Sequence, residues 1–337
     1  MDFATLDAKK QELDRWRPLP AELVRNLDAW FRVELTYTSN AIEGNTLSRR
    51  ETAVVLEKGL TVGGKTLREH LEATNHARAI DFVATLVKSS QTLTEQELLQ
   101  LHECVLAGID DANAGRYRDV AVRVAGSTVV FPNPRRVPEL MQEFCDWLVS
   151  RRDLHPVDLA ASAHYRLVSI HPFIDGNGRT ARLLMNCLLM SHGFPPAIIR
   201  PRDRIAYLGA IEAAQLGGPR TAFDSLIGRA VDRSLDIYLE AVAGRTDQGD
   251  SKAAVPSERL LKIGQLAQLV GETVPTIRHW LKLGLLRPAQ VTPAGYQLFA
   301  AAAVNRCRRV QGLKGRRLTL AEIRDTLADT DEADDRE

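Results

Sequence analysis

Residues 171–182 bring together side chains that could move a proton and hold phosphate groups. His171 follows an apolar segment, and an imidazole, whose ordinary pKa lies near neutrality, can accept a proton from an attacking hydroxyl. Gly176 and Gly178 allow backbone N–H groups to approach a ligand closely. A helix predicted to begin at Thr180 would add the positive end of its dipole, so the segment favours a bound phosphate.

Three charged side chains of the same segment fit a nucleotide. Arg179 and Arg182 are three residues apart, so both guanidiniums can lie on one helix face and hold neighbouring phosphates. Asp175 precedes the glycines, where its carboxylate could hold a Mg²⁺ ion that bridges the phosphates. Each feature alone is common in structural turns or on solvated helix faces. Their occurrence within twelve residues favours a nucleotide-binding site over a purely structural loop.

The elements around this segment are predicted to be mainly α-helical over residues 1–242. Apolar side chains recur there at intervals of three and four residues, which is typical of amphipathic helices. The predicted helices are Ala21 to Thr38, Thr66 to Val87, Thr94 to Leu106, Val137 to Val149, Asp158 to Ile170, and Thr180 to about Gly193. Residues 120–131 differ, because β-branched residues on both sides of a turn at Gly126 predict a short β-hairpin.

Residues 171–182 resemble the signature of the Fic family, H-x-F-x-D/E-G-N-G-R-x-x-R, and every fixed position is filled. The resemblance covers roughly residues 1–240 and implies a Fic-type helical core with the β-hairpin as a flap. It also implies an enzyme that transfers AMP from ATP to a Tyr, Ser or Thr hydroxyl of a target protein or of itself. The ligands implied by the resemblance are ATP, as substrate, and Mg²⁺.

The resemblance also implies a role for each residue of the motif. His171 would be the general base that deprotonates the hydroxyl, and Asp175 would be the Mg²⁺ ligand. Arg182 would hold the γ-phosphate of ATP. The α- and β-phosphates would be held by four neighbouring residues, Gly176, Asn177, Gly178 and Arg179.

Two further groups of residues follow from the same resemblance. The first group comprises the flap residues that are expected to pair with an extended segment of the target protein, Val122, Arg123 and Val124. From the residues alone, an ordinary structural hairpin is the alternative. The second group comprises the residues that are expected to border the adenine, Arg204, Tyr207 and Gln215. Leu208 stands where a second tyrosine is common in the family.

Ser39 and Glu43 are four residues apart near the end of a predicted helix, so they face the same side. Spacing alone indicates that Glu43 is a solvated acid at a helix end. Residues 39–44, however, resemble the inhibitory motif S/T-x-x-x-E-G/N of the family, which implies that Glu43 pairs with Arg182 in place of the γ-phosphate. The same glutamate could position a water that removes AMP from a modified target, so both reaction directions stay open.

Residues 256–328 are predicted to form a second, basic unit. They contain twelve Lys and Arg against four Asp and Glu, a balance typical of nucleic-acid binding. Two short predicted helices, at residues 263–270 and 273–283, flank a tight turn as in a helix-turn-helix. The unit resembles a MerR-type winged helix-turn-helix domain with its wing at residues 292–296. That resemblance implies DNA contacts from Thr276, Arg278 and Tyr296.

Three interpretations of the whole chain follow. The leading one is an autoinhibited AMP-transferase with an appended DNA-binding domain. A second is a DNA-binding transcription regulator whose Fic domain senses a nucleotide or modifies itself. In a third, the basic unit docks the target protein and does not meet DNA. Val291 and Gln297 stand where basic wing residues are common, which reduces the expected number of contacts with DNA phosphates.

The predicted organisation has five segments. They are residues 1–110 with the inhibitory motif, 111–242 with the Fic core, a linker at 243–255, the helix-turn-helix unit at 256–328, and an acidic tail at 329–337. Four cysteines without metal-ligand spacing predict reduced thiols and no structural zinc site. We see no signal peptide and no apolar run as long as a membrane span, so we expect a cytoplasmic protein. A homodimer stays open.

Overall fold

In the computed structural model, the described residues are 3–89, 93–151, 153–249, 261–286, 288–291, 297–300 and 302–315. The chain divides into two compact units, residues 1–250 and 251–337. Each unit has its own hydrophobic core. Within these described ranges, no helix is both long enough and apolar enough to span a membrane.

The first unit is built from helices, which confirms the predicted mainly α-helical fold. Its described helices are α1 (Phe3–Asp14), α2 (Ala21–Ile42), α3 (Arg49–Lys58), α4 (Leu67–Ser89), α5 (Glu95–Leu106), α6 (Val137–Ser150), α7 (Pro156–Ile170), α8 (Asn177–Ser191), α9 (Arg204–Gln215) and α10 (Thr221–Gly249). Short 3-10 turns at Pro134–Arg136 and Pro201–Asp203 precede α6 and α9.

Local sequence accounts for the ends of two helices that carry the site. Thr94 caps the start of α5, and its side chain and that of Glu97 form a reciprocal capping box. Helix α8 begins at Asn177, three residues before the start predicted at Thr180, and Gly176 at φ 80° makes the turn that precedes it. The start of α8, with its unsatisfied N–H groups, therefore lies inside the glycine-containing motif.

Two helices are longer than predicted. We expected α2 to end at Thr38, but the hydroxyl of Thr38 donates to the carbonyl of Glu34 within the helix, and α2 continues to a buried Ile42. Helix α10 continues to Gly249, through the first part of the segment 243–255 that we predicted as a linker. The remainder of that segment lies outside the described residues.

Helices α7 and α8 lie at the centre of the first unit and are joined by the loop of residues 171–176. Small, fully buried side chains, including those of Ala160, Ala163 and Ala181, allow the two helices to pack closely. Helices α4 and α5 pack against α8 from outside, and α1 packs along α10. The loop is thus fixed at both ends by the most densely packed part of the unit.

Residues 120–131 form an extended loop without strand pairing, so the β-hairpin predicted there is wrong in its secondary structure. The turn of this loop is closed by a hydrogen bond of 3.1 Å from Ser127 N to the carbonyl of Val124. Both Ser127 Oγ and the N–H of Thr128 donate to a carboxylate oxygen of Glu212 in α9, at 2.7 and 3.2 Å. The loop is therefore held by hydrogen bonds to helix α9 and not by the cross-strand hydrogen bonds of a β-hairpin.

Arg118 fastens this extended loop to the loop between α7 and α8. Its side chain is buried, and its guanidinium donates to the carbonyls of His171, Val120 and Pro132 at 2.7, 3.0 and 2.7 Å. Its backbone N–H donates to the carbonyl of Pro172 at 2.9 Å. One buried cation thus satisfies carbonyls from both loops and holds them together.

The second unit has the helices and strands expected of a winged helix-turn-helix. Its described elements are β1 (Leu261–Lys262), α11 (Ile263–Val270), α12 (Val274–Lys282), β2 (Gln290–Val291), β3 (Gln297–Phe299) and α13 (Ala302–Gly315). The strands form an antiparallel sheet in the order β1-β3-β2. Trp280 and Phe299 are fully buried at the centre of its core.

Several predictions for the second unit fall on residues that are not described. Strands β2 and β3 flank the predicted wing, but residues 292–296, with Tyr296, lie outside the described part of the chain. The acidic tail predicted at 329–337 also lies outside it.

We expect Arg118→Ala to lower the free energy of unfolding by about 3 kcal/mol or more, because three carbonyls lose a charged donor in a buried setting. Urea titration followed by circular dichroism measures the change. Arg116→Ala is the matched control, because Arg116 is exposed and lies two residues away. Equal losses of stability in the two variants would contradict the role assigned to Arg118.

Candidate active site

His171 ends α7 with an unusual backbone conformation. Its φ and ψ of 51° and 58° lie in the left-handed region, where helix ends usually carry glycine. Among the described residues it is the only non-glycine with positive φ. Its N–H donates to the carbonyl of Leu167 at 2.9 Å. Such a conformation costs roughly 1–3 kcal/mol, and strain of this kind is typical of functional sites.

The imidazole of His171 is fixed in both orientation and tautomer. It stacks on Phe131 with ring centroids 4.0 Å apart, and its Nδ1 donates to the carbonyl of Val168 at 3.3 Å. The lone pair of Nε2 is then available to accept a proton. Burial lowers the pKa of His171 to about 4 despite this hydrogen bond, and the charge of Arg118 adds to the effect. The ring is therefore neutral at neutral pH, as a general base must be.

His102 of α5 packs against the loop and supports it, a role that its spacing in the sequence does not predict. Its ring stacks on Phe173 with centroids 3.6 Å apart. Its Nε2 donates to the carbonyl of Asp175 at 3.0 Å, while Nδ1 accepts from the N–H of Gly115 at 3.0 Å. Burial lowers the pKa of His102 to about 4, so the neutral tautomer that makes both contacts is stable. The only signal in the sequence was a histidine among apolar helix residues.

Asn177 shapes the loop with its side chain, and its expected contact with phosphate stays a prediction. Its amide oxygen accepts from the N–H of Phe173 at 3.0 Å, and its amide nitrogen donates to the carbonyl of Phe173 at 2.9 Å. The side chain is buried and both of its polar atoms are used. Only the backbone N–H of Asn177, in the first turn of α8, stays a predicted phosphate contact.

Gly176 and Gly178 both have close neighbours, but only Gly176 also has a backbone conformation that favours glycine. A Cβ on Gly176, at φ 80°, would lie 3.2 Å from the ring of His102. A Cβ on Gly178 would lie 2.5 Å from Glu43 Oε1 and 3.1 Å from a guanidinium nitrogen of Arg182. The second contact shows how closely the carboxylate of Glu43 approaches the start of α8.

Asp175, the predicted Mg²⁺ ligand, is paired with two arginines. Its Oδ1 accepts from the N–H of Gly176 at 2.6 Å and from Arg179 at 3.1 Å, and its Oδ2 accepts from Arg68 at 3.0 Å. Burial by itself would raise the pKa of Asp175, but Arg179, the N–H of Gly176 and Arg68 hold that pKa below its usual range. The carboxylate is therefore ionised and already partnered.

The surroundings of Asp175 fit a metal ion that is shared with a nucleotide. In the described part of the chain, no three His, Cys, Asp or Glu side chains are grouped closely enough to hold an ion by themselves. Mg²⁺ commonly binds one or two carboxylates together with water and substrate phosphates, and Asp175 can supply one such carboxylate. Arg68, which holds Oδ2 and is largely exposed, would have to move away first.

Arg179 has two buried hydrogen-bond donors without an acceptor in the described structure. Its side chain is buried, and its Nε and Nη1 have no hydrogen-bond partner in the described structure. Nη1 lies 3.7 Å from Glu72 Oε1, within ion-pair range but too far for a hydrogen bond. Buried donors without acceptors are unfavourable, so Arg179 would gain from an anion at the start of α8.

Arg182, Ser39 and Glu43 form the contact predicted from the inhibitory motif. Nε and Nη2 of Arg182 donate to the hydroxyl and the carbonyl of Ser39 at 2.9 and 3.0 Å. Nη2 also donates to Glu43 Oε1 at 2.6 Å. Burial by itself would lower the pKa of Arg182, but the charge of Glu43 raises it. The guanidinium is therefore charged, buried and already occupied by Glu43.

Tyr207 is buried in this structure, and the contact with adenine expected for it stays a prediction. Its ring is 1% exposed, so no face of it is open for a nucleobase to stack on. Its hydroxyl lies 2.7 Å from Nε2 of His164 and 3.5 Å from Nη1 of Arg182. Tyr207 thus belongs to the buried polar network that supports Arg182 from below.

The other residues expected near the adenine hold helix ends. Nε of Arg204 donates to the carbonyl of Ile42 at the end of α2, at 2.6 Å, and Gln215 donates to the carbonyl of Val168 at 3.2 Å. Of the flap residues, Val122 is half-buried, whereas Arg123 and Val124 are exposed. Their pairing with a target segment stays a prediction.

The Fic/DOC family matches residues 92–189, and the MerR HTH family of regulatory proteins matches residues 261–330. The chain is similar to the "Protein adenylyltransferase Fic" of Nematostella vectensis, with 40% identity over 246 residues, which cover 71% of this chain and 56% of that protein. The protein of the same name from Culex quinquefasciatus is 39% identical over 244 residues, which cover 72% and 48%. The chain thus spans about half the length of the curated relatives it matches.

Solved structures extend the likeness to the fold. Fic-1 (aa134 - 508) from C. elegans matches with a TM-score of 0.65 and 33% identity, over 72% of this chain and 73% of that one. A Fic domain containing signaling protein from Bacteroides thetaiotaomicron VPI-5482 matches with a TM-score of 0.66 and 28% identity, over 71% and 97%. The motif, the geometry of its loop and these similarities together show that the chain belongs to the Fic family.

Proposed function

We propose that this protein transfers AMP from ATP to a hydroxyl of a target protein or of itself, and that Glu43 inhibits the transfer. The observation that carries the proposal is the neutral imidazole of His171 beside the glycine-containing start of α8. The curated relatives, which are named protein adenylyltransferase and are about 40% identical, support the same activity.

In the proposed reaction, Nε2 of His171 takes the proton of the acceptor hydroxyl while that oxygen attacks the α-phosphorus of ATP. The bond from the α-phosphorus to the bridging oxygen breaks, and pyrophosphate leaves. N–H groups at the start of α8 and the unpartnered donors of Arg179 hold phosphate oxygens and stabilise their charge. Mg²⁺, when bound at Asp175, would neutralise part of the phosphate charge.

The ion pair between Arg182 and Glu43 opposes this reaction in our proposal. The carboxylate occupies the guanidinium that would bind the γ-phosphate, at 2.6 Å. It also lies against Gly178, so it brings a negative charge to the start of α8, where the phosphates would lie. ATP would then bind weakly, or in a pose unsuited to in-line attack, and small errors in position cost orders of magnitude in rate.

Removal of AMP from a modified target is the second candidate. It is favoured by the partial exposure of Glu43, whose side chain is 38% exposed and can contact water near the phosphate site. The two directions differ in what the loss of Glu43 does. Transfer of AMP would increase without this carboxylate, whereas removal of AMP would stop.

We expect Glu43→Gly to increase AMP transfer by about a hundredfold, because the guanidinium of Arg182 becomes available to the γ-phosphate. The measurement is the incorporation of label from ATP labelled at the α-phosphate, using the purified full chain and a cell lysate. Adding His171→Ala to Glu43→Gly should abolish incorporation, since no base would take the proton of the hydroxyl.

Glu57→Gly is the matched control for the inhibitory role. Glu57, like Glu43, is an exposed acid at a helix end, but it lies in the last turn of α3 and has no contact with Arg182, so transfer should stay at the wild-type level. Equal incorporation by wild type and Glu43→Gly would remove the inhibitory role. Incorporation that persists without His171 would remove the proposed base.

The low pKa of His171 predicts how transfer depends on pH. Because that pKa is about 4, the proton-accepting form predominates above it, and transfer falls only as the pH drops towards it. Glu43 raises this pKa, so its removal in Glu43→Gly shifts the fall to still lower pH. We expect initial rates of Glu43→Gly to be constant from about pH 8 to about pH 6. A midpoint near the ordinary value of 6.5 would contradict the assignment.

DNA is a proposed partner of the second unit. The support is the match to the MerR HTH family and the exposure of Arg278 on α12, the second helix of the helix-turn-helix. Thr276 lies in the first turn of α12, where its N–H donates to the capping hydroxyl of Thr273. Cytoplasmic location is part of the same proposal, and all four cysteines are free thiols, as a reducing compartment requires. A homodimer stays a prediction.

We expect Arg278→Glu to weaken binding of the full chain to DNA by about tenfold or more, because a contact to phosphate or base becomes a repulsion. Gel-shift titration on genomic fragments at fixed salt measures this. Arg309→Glu is the matched control, since Arg309 is exposed on α13, outside the helix-turn-helix. Absence of any shift with wild type would favour docking of a protein by the basic unit.

A further inference from the structure

A cavity of about 480 Å³ lies in the first unit, and neither His171 nor any residue of the loop 171–176 lines it. Helix α2, the 3-10 turn Pro201–Asp203 and helix α10 bound it. Its volume is within the range of small-molecule sites, roughly 300–1,000 Å³. We call it the arginine pocket, because its lining includes Arg49, Arg200, Arg202 and Arg233.

The arginine pocket carries more positive than negative charge. Arg49 Nε lies 2.5 Å from Glu34 Oε1, so these two charges compensate each other. Arg233 lies 3.9 Å from Asp203. The side chains of Arg200 and Arg202 form no ion pair or hydrogen bond within the described part of the chain, although the charge of Arg200 acts on the carboxylate of Glu34. Four arginines therefore face two carboxylates, those of Glu34 and Asp203, and the net positive charge matches a phosphate monoester, whose charge is close to −2 at neutral pH.

The guanidiniums also influence one another. Burial lowers the pKa of Arg233, and the charges of Arg200 and Arg202 lower it further. An anion that binds among them would relieve this repulsion. Arginine is well suited to such a ligand because its planar group can donate two parallel hydrogen bonds to phosphate oxygens.

An aromatic ring that lines the same pocket, on α2, indicates the rest of the ligand. Trp30 is 42% exposed although it is a large apolar side chain, and it packs edge-on against Phe31 at a centroid distance of 4.9 Å. This packing holds the indole in place while part of it stays open to the pocket. An exposed aromatic ring beside two arginines can stack on a flat heterocycle whose phosphate the arginines hold.

We propose that the arginine pocket binds a nucleoside monophosphate, with the phosphate between Arg200 and Arg202 and the base against Trp30. The proposed ligand has a phosphate, which pairs with the positive charge of the arginines, and a base, which stacks on the exposed indole of Trp30. The site is separate from the loop that carries His171, and it would bind its ligand whether or not AMP transfer takes place.

The test uses GMP and the full wild-type chain. We expect saturable binding with one site by isothermal titration calorimetry, together with quenching of tryptophan fluorescence as the base stacks on Trp30. The other three tryptophans, Trp16, Trp147 and Trp280, do not line the pocket. Trp30→Phe should therefore retain the binding heat and lose the quenching.

The double variant Arg200→Glu, Arg202→Glu should bind GMP at least about tenfold more weakly. Arg25→Glu is the matched control, because Arg25 is exposed on α2 and does not line the pocket; it should bind as wild type does. Inorganic phosphate and guanosine, tested separately, should each bind more weakly than GMP. The proposal is overturned if wild type shows no saturable binding, if the double variant binds as tightly as Arg25→Glu, or if phosphate alone matches GMP.

Discussion

The guanidinium of Arg182 is buried between α2 and α8, where a positive charge needs acceptors and an opposite charge close by. Ser39 supplies two acceptors, its hydroxyl and its carbonyl, and Glu43 supplies the charge. A nucleotide phosphate could satisfy the same guanidinium, so the glutamate and the phosphate compete for one partner. Inhibition in our proposal therefore follows from the requirement that a buried cation is always paired.

The active-site loop could be predicted from the sequence because its residues are neighbours in the chain. A histidine, two glycines, an aspartate and two arginines within twelve residues limit the chemistry whatever surrounds them. The helices around the loop also follow from apolar spacing, and their ends were less well predicted. Asn177 starts α8 earlier than expected because its side chain binds the backbone of Phe173, a contact that spacing does not reveal.

The residues that were missed act across long stretches of chain. His102 contacts the loop from α5, 73 positions from its partner Asp175. Arg68 contacts it from α4, 107 positions from its partner, and Arg118 from the base of the extended loop, 53 positions from its partner. Their local sequences resemble those of ordinary helix and loop residues. The role of Tyr207 also depends on residues that are distant in the sequence. Its place near the site was anticipated, but its burial, which decides what it can do, depends on packing among distant helices.

The left-handed backbone of His171 has a consequence for how this protein can change over time. Glycine would adopt the same conformation without strain, so the most favourable residue for the stability of α7 is not the one that can take a proton. Under the role that we propose for His171, stability and activity therefore oppose each other at this position. In a variant freed from the proposed role as base, glycine at this position would be more stable than histidine.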